Sequence, residues 1–305
     1  MGQDTNISAW VVVYETSDQR RSAEATLVLS ALEIEHALTR SNDNWRLRVP
    51  ASLAVAAAAE LAAYDNERLA PPIGPRPIDE LSTGWSGVIA YGVLLLLVAT
   101  LARQGALDLD WFGSGRLDAG RVVAGEWWRA VTALTLHTDL SHLASNIIFG
   151  SFFGLYVGRY LGAGFGWAAI LLGGTAGNVV NAWIQPASHL AIGASTSVFA
   201  ALGLLSAFTW RRGYWHNTPW KVRIAPVTAA ICLLAFTGTG AGTGSDNVDV
   251  MAHLTGFLAG FGLGIWLALS RLPRGEKPQQ IVAILAAGLI AGAWVSAFSV
   301  AATFR

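Results

Sequence analysis

From Trp85 onward the chain is built of apolar blocks about twenty residues long, separated by short polar or glycine-rich breaks. A hydrocarbon layer of about 30 Å is crossed by about 20 apolar residues in a helix. Seven segments fit that rule: 85–102, 141–161, 164–184, 194–210, 222–239, 249–270 and 279–303. The fifth is the weakest, with Pro226 near its start and glycines crowding its end. Before Trp85 the pattern differs. Residues 9–14 (AWVVVY) read as a short strand, and 19–34 place Ala23, Leu27, Ala31 and Ile34 at helical spacing between charged residues. Strand-like pieces follow near 36–40 and 45–49, and Pro50 opens an alanine-rich helix to about Tyr64. That βαββα order predicts a small α+β unit over 1–67. Residues 68–84 begin with RLAPPIGPRPIDE, whose four prolines predict a stiff linker.

Composition agrees with a bilayer setting. Hydrophobic residues make up 53% of the chain and charged residues only 13%, against roughly 25% charged in soluble domains. The net charge of zero hides a split: residues 1–84 hold 7 basic and 12 acidic side chains, and residues 85–305 hold 13 and 8. Nothing is basic enough to point to nucleic acid. Cys232, the single cysteine, excludes an intramolecular disulfide framework. The first residues, MGQDTN, lack the basic stretch and apolar core of a secretory signal.

Orientation follows from the loops. Arg211, Arg212, Lys221 and Arg223 follow the fourth span, and Arg271, Arg274 and Lys277 follow the sixth, whereas 185–193 and 240–248 carry no Lys or Arg. Positive charge marks the cytoplasmic side, so by parity the N-terminal unit is expected in the cytoplasm. Arg116, Arg121 and Arg129, in the connection between the first two spans, run against the rule. That connection is long and amphipathic, as interfacial segments are.

Polar side chains inside spans are expensive and are candidates for function. The second span opens Ser141-His142-Leu143-Ala144-Ser145-Asn146, the fourth Gly193-Ala194-Ser195-Thr196-Ser197, and the sixth Asp249-Val250-Met251-Ala252-His253. All three groups fall in the first two turns from the same side, within roughly 10 Å in depth. A serine needs a base to become a nucleophile, and His253 is the imidazole on a neighbouring span. Asn146, His142 and the Ser195 backbone N–H are candidate donors to the oxyanion of an acyl-transfer intermediate. Small residues at Gly256, Gly260 and Gly264, with Ala194, Ala201 and Gly203 on the fourth span, allow the close helix approach that a Ser–His contact needs.

These residues resemble the rhomboid intramembrane serine proteases. The resemblance covers most of 84–270: Glu126-Trp127-Trp128-Arg129 in the first loop, then His137, His142 and Asn146, Gly193-Ala194-Ser195 with Phe199 one turn on, and Ala252-His253 followed by Gly256 and Gly260. It implies an all-α polytopic membrane protein with a six-helix core at 85–270. The linker and seventh helix at 271–305 are similar to the extra C-terminal helix of some members. It implies Ser195 as nucleophile, His253 as base, His142 and Asn146 at the oxyanion, and Phe199 packed on the His253 ring. Trp128 and Arg129 are implied to anchor the first loop. The expected partners are transmembrane protein substrates within a lipid bilayer, in a bacterial-type cell membrane. The N-terminal unit has no readable partner, and no cofactor or metal is implied. Three positions depart from the family pattern: Thr196 and Thr255 replace frequent glycines, and Gly158 stands where many members have a glutamate that braces the first loop.

Other readings compete. A Gly-x-Ser triplet alone is most simply helix packing, and His142 with Asn146 could be interhelical glue. His189 and His216 have no partner evident from sequence, and His137 reads as structural. The main alternative is a catalytically silent relative that binds membrane clients. A metal-dependent hydrolase using His142, His253 and Asp249, or a transporter, are further alternatives.

Overall fold

A computed structural model describes residues 9–41, 43–69, 78–212, 219–225, 228–229, 232–233 and 249–303. It divides into two units, Met1–Ile73 and Gly74–Arg305.

In the first unit three strands, β1 (Trp10–Thr16), β2 (Ala37–Ser41) and β3 (Asn44–Pro50), form an antiparallel sheet in the order β1-β3-β2. Helices α1 (Gln19–Ala31) and α2 (Ala54–Leu69) complete the βαββα order. The core is Ala25, Leu29, Leu47, Val49, Ala57 and Leu61. The buried face of α1 differs from the expected one. Ser22, Ala25 and Leu29 point inward, whereas Leu27 is 70% exposed and Ala23 and Ala31 are exposed too. Alanines discriminate poorly between faces, and Ser22 hides its hydroxyl by donating to the Gln19 carbonyl at 2.8 Å, which lets a polar residue sit in the core stripe.

The second unit is helical. Five helices among the described residues are long and apolar enough to cross a membrane: α3 (Trp85–Arg103), α4 (Leu140–Leu161), α5 (Ala163–Ile184), α7 (Val250–Leu269) and residues 276–301 of α8 (Glu276–Thr303). The segment expected as the fourth span is α6 (Ser195–Arg211), whose 17 residues reach about 26 Å. It is the central helix, buried along nearly its whole length and packed by α4, α5 and α7. Most of the expected fifth span, 222–239, lies outside the described residues, as do the 240–248 loop, residues 70–77 of the proline linker, and His216.

Glycine sets the register at the centre. A Cβ on Gly256, Gly260 or Gly264 of α7 would strike the carbonyl oxygen of Thr196, Ala200 or Leu204 of α6. A Cβ on Gly203 would in turn strike the Phe257 carbonyl. The two helices therefore run parallel with backbones in direct contact, residue 196 against 256 and 200 against 260. Carried back to the helix starts, that register sets Ser195 and His253 within about 3 Å of each other along the axis. Gly177 of α5 closes the same seam, its missing Cβ leaving room for Gly256 and the Thr196 methyl.

The connection 104–139 folds against this bundle as short helical turns (Trp111–Gly115, Ala119–Val123 and Arg129–Thr132) and a two-residue strand, β4 (Leu117–Asp118), paired with β5 (Leu190–Ala191). The last helix is fastened at two points. Gln279 accepts from the Gly164 and Phe165 N–H groups at 2.8 and 3.0 Å and donates to the Leu161 carbonyl at 2.9 Å. Trp294 donates to Thr135 Oγ1 at 3.2 Å and packs on Trp111.

The glycine seam makes a paired prediction. Gly260→Ala forces a methyl into the Ala200 backbone and should destabilise the bundle by about 1–3 kcal/mol. Gly262→Ala, with nothing within 4 Å of the added Cβ, should be neutral or stabilising by roughly 1 kcal/mol at most. Unfolding midpoints of the two variants in the same detergent measure the difference, and equal midpoints would contradict backbone contact at Gly260.

Candidate active site

The segment that delivers Ser195 is shaped by a backbone that only glycine adopts easily. Gly193 has φ +131° and donates its N–H to the Ala133 carbonyl at 2.9 Å. The next N–H, of Ala194, donates to His137 Nε2 at 3.4 Å. Both bonds hold the turn to the first loop, and Ser195 then begins α6. The first N–H groups of a helix have no partner within the helix and carry its positive dipole end.

His142 approaches the same turn from α4. Its Nδ1 lies 3.2 Å from Thr138 Oγ1, and its Nε2 faces Gly193. A Cβ at Gly193 would lie 2.6 Å from His142 Nε2 and 3.7 Å from Ser195 Oγ. The space that Gly193 leaves open is thus bounded by the serine hydroxyl on one side and the imidazole on the other. Asp139 caps α4 by accepting from the His142 N–H at 2.8 Å. The Ser141 hydroxyl, the His142 N–H and the Thr138 hydroxyl together hold its carboxyl well below the usual carboxylate range. Asn146 is buried one turn further along α4, its Nδ2 donating to the His142 carbonyl at 3.0 Å. An amide carries a second N–H that this bond does not use.

His253 sits in the first turns of α7, only 3% exposed, with its ring stacked on Phe199 at a centroid distance of 4.5 Å and 14° between planes. Aromatic stacking of this kind fixes the plane of the imidazole. Ser195, His253, His142, Asn146, Gly193 and Phe199 all line one cavity of about 1040 Å³. Thr196 lines it too, but its methyl is turned into the seam against Gly177 and Gly256.

Trp128 and Arg129 do not line the cavity. Arg129, 4% exposed, pairs with Glu126 and donates to the Gly113 and Arg116 carbonyls at 3.0 and 2.9 Å. A buried guanidinium with a carboxylate and two carbonyls has its charge met and three donors used. Trp128 packs in the apolar cluster of Trp111, Leu136 and Trp294. Gly158 bears no bracing side chain and instead brings α4 against the start of α3, where a Cβ would lie 3.3 Å from the Gly84 Cα.

His189 differs from its expected isolation. Its Nε2 lies 2.7 Å from Asp249 Oδ2, which also accepts from Asn181 Nδ2 at 2.6 Å. No sequence spacing links positions 181, 189 and 249, so the cluster is visible only once the chain is folded. Among the described residues no group of three His, Cys, Asp or Glu side chains could hold a metal ion.

Comparison with known proteins relates part of this chain to one family. Residues 124–270 match the model of the Rhomboid domain. Rhomboid protease GluP of Bacillus subtilis is 26% identical over 178 residues, 58% of this chain and 33% of the relative. Rhomboid-like protease 2 of Toxoplasma gondii is 29% identical over 196 residues, 59% of this chain and 64% of the relative. Rhomboid-like protein 11, chloroplastic, of Arabidopsis thaliana is 31% identical over 165 residues, 51% and 57% respectively. The chain thus spans less than two thirds of the length of each of these relatives.

The buried loop histidine generates a pH prediction. Burial, with His142 nearby, pushes His137 down from the ordinary 6.5 to about 3. In the unfolded chain the ring takes up its proton near pH 6.5, so between those values unfolding binds a proton. Stability should be complete above about pH 6.5 and fall as the pH drops toward 3, by up to about 1.4 kcal/mol per pH unit. Asp139 acts in the same sense, but only at and below the usual carboxylate range. Thermal midpoints between pH 7 and 4 should decline more steeply in the wild type than in His137→Gln, and parallel curves would refute the assignment.

Proposed function

Since residues 124–270 make this chain a member of the rhomboid family, we propose that it is an intramembrane serine endopeptidase working through Ser195 and His253. The observation that carries the reading is one cavity walled by Ser195 Oγ, the stacked His253 ring, His142 and Asn146. Relatives named as rhomboid proteases support it at the level of the family.

In this reading His253 takes the Ser195 hydroxyl proton as the oxygen attacks the scissile carbonyl carbon. The carbonyl π electrons move to oxygen, giving a tetrahedral oxyanion. The gap beside Gly193 receives that oxyanion, with His142 Nε2, the free Asn146 N–H and the Ser195 backbone N–H as donors. The intermediate collapses to an acyl-enzyme as the C–N bond breaks, and the leaving amine receives the proton from His253. Water, deprotonated by the same imidazole, then attacks the acyl group and frees Ser195. Phe199 keeps the ring plane fixed throughout. Trp128 and Arg129 anchor the loop from which Ala133 and His137 hold the nucleophile's turn. The chemistry calls on no cofactor.

The substrates of this reading are transmembrane segments whose helix is locally weak, since a helix shields its own peptide bonds and an extended strand must reach Ser195. The lysine and arginine pattern supports a multi-pass protein of a bacterial-type cell membrane with a cytoplasmic N-terminus. We assign 1–67 to a small α+β domain, 68–84 to a linker, 85–270 to a six-span catalytic core and 271–305 to the linker and seventh span.

Reconstitution in lipid with a panel of single-span substrates tests this. Wild type should cleave at least one of them and take a fluorophosphonate label on Ser195, while Ser195→Ala should do neither. His253→Ala should lose about 10³-fold or more in kcat. A folded wild type that neither labels nor cleaves, yet retains membrane clients, would replace the protease with the silent binder.

A further inference from the structure

One carboxylate at the cavity rim joins two parts of the site that the catalytic reading treats separately. Asp249 is the N-cap of α7, accepting from the Ala252 N–H through Oδ1 at 2.9 Å. Its other oxygen, Oδ2, receives Asn181 Nδ2 from the last turn of α5 and His189 Nε2 from the loop that runs into β5 and Gly193. An ionised carboxylate only accepts, so His189 carries its proton on Nε2 and donates. The bonds are short, 2.6 and 2.7 Å, and both side chains are mostly buried. His189 is tied in turn to the first loop, where its carbonyl accepts from the Ala119 N–H at 3.0 Å.

Asp249 therefore fastens the helix carrying His253 to the strand that leads to Ser195. The glycine seam fixes how near α6 and α7 come, but a face of small residues supplies no directional bond against sliding or tilting. Between α7 and the 185–193 segment, the Asp249 carboxylate supplies that directional contact. Resting on the reading of Ser195 and His253 as the dyad, we infer that Asp249, held by His189 and Asn181, is a positioning residue that keeps the His253 imidazole aligned with the Ser195 hydroxyl.

Conservative variants separate alignment from folding. Asp249→Asn keeps a good helix cap, since Asn serves at an N-cap about as well as Asp, but with its oxygen on the cap its NH2 faces Asn181 and His189 and can accept from neither. His189→Ala removes the loop donor, and His189→Gln restores an N–H near the Nε2 position. In full-length protein in detergent, well below the unfolding midpoint, the rate of fluorophosphonate labelling at Ser195 reports alignment without any substrate. We expect Asp249→Asn and His189→Ala to slow labelling and kcat on the order of tenfold, as small misplacements of reacting groups do. KM should stay within about twofold. The double variant should be no slower than Asp249→Asn, and His189→Gln should recover most of the rate. Labelling and kcat within twofold of wild type in both single variants, even with lowered unfolding midpoints, would reduce the cluster to a structural tie and overturn the inference. A wild type that takes no label would instead bring down the dyad reading, and this inference with it.

Discussion

The contact on which the site depends is backbone against backbone, between the carbonyls of Thr196, Ala200 and Leu204 on α6 and the glycines 256, 260 and 264 on α7. In lipid there is no hydrophobic drive to bring two apolar helices together, so association rests on close packing. Glycine every four residues gives a groove, and the parallel register fixes depth. A serine side chain is short. It can meet an imidazole on another helix only where the helices touch in this way, and Gly177 extends the same seam to α5. Thr196 fits because its methyl fills the seam itself, turned away from the gap beside Gly193. A threonine next to Ser195 therefore need not narrow the space between Ser195 and His142.

Burying polar groups at this depth imposes the second constraint, that each must find a partner inside the protein. The first loop meets it by turning its polar atoms toward the bundle. Asn178 of α5 donates to the Ala130 carbonyl at 2.9 Å, Thr132 to the Gly115 carbonyl at 2.6 Å, and Arg129 to two further carbonyls. The same loop supplies the Ala133 oxygen and the His137 nitrogen that hold the Gly193–Ala194 turn. The loop is thus a working wall of the site. Its internal Glu126–Arg129 pair explains how it stays folded although Gly158 offers no brace.

Much of the candidate site was legible because the residues that line it follow local spacing. His142 and Asn146 share a face at i and i+4, Gly193-Ala194-Ser195 is contiguous, and the glycines after His253 repeat every fourth residue. The long apolar blocks likewise announce helices, since a bilayer span needs a fixed number of residues whatever packs beside it. What was not legible depends on contacts between distant parts of the chain. The Asn181–His189–Asp249 cluster has no spacing signature, and from sequence Asp249 enters only as a metal-ligand alternative beside His142 and His253. The inward face of α1 was misplaced because alanines and a self-satisfied serine blur the helical period. The centrality of α6 was hidden as well: its composition resembles that of its neighbours, and only the fold shows that it is enclosed by them.

The last helix shows why such contacts matter to an account of the site. By composition α8 is an apolar helix with no polar face, and nothing in it specifies where it should dock. Docking is supplied by two side chains about 22 Å apart along its axis. Gln279 uses both ends of its amide on the α4–α5 turn, which Gly162 and Gly164 leave open for it. Trp294 lies over Gly115 and donates to Thr135, two residues before His137 and two after Ala133. A helix outside the apolar bundle core is thereby joined to the segment whose oxygen and nitrogen hold the Gly193–Ala194 turn. The first loop, then, is clamped from two sides, by α5 through Asn178 and by α8 through Trp294. Its geometry at Ala133 and His137 follows from both clamps.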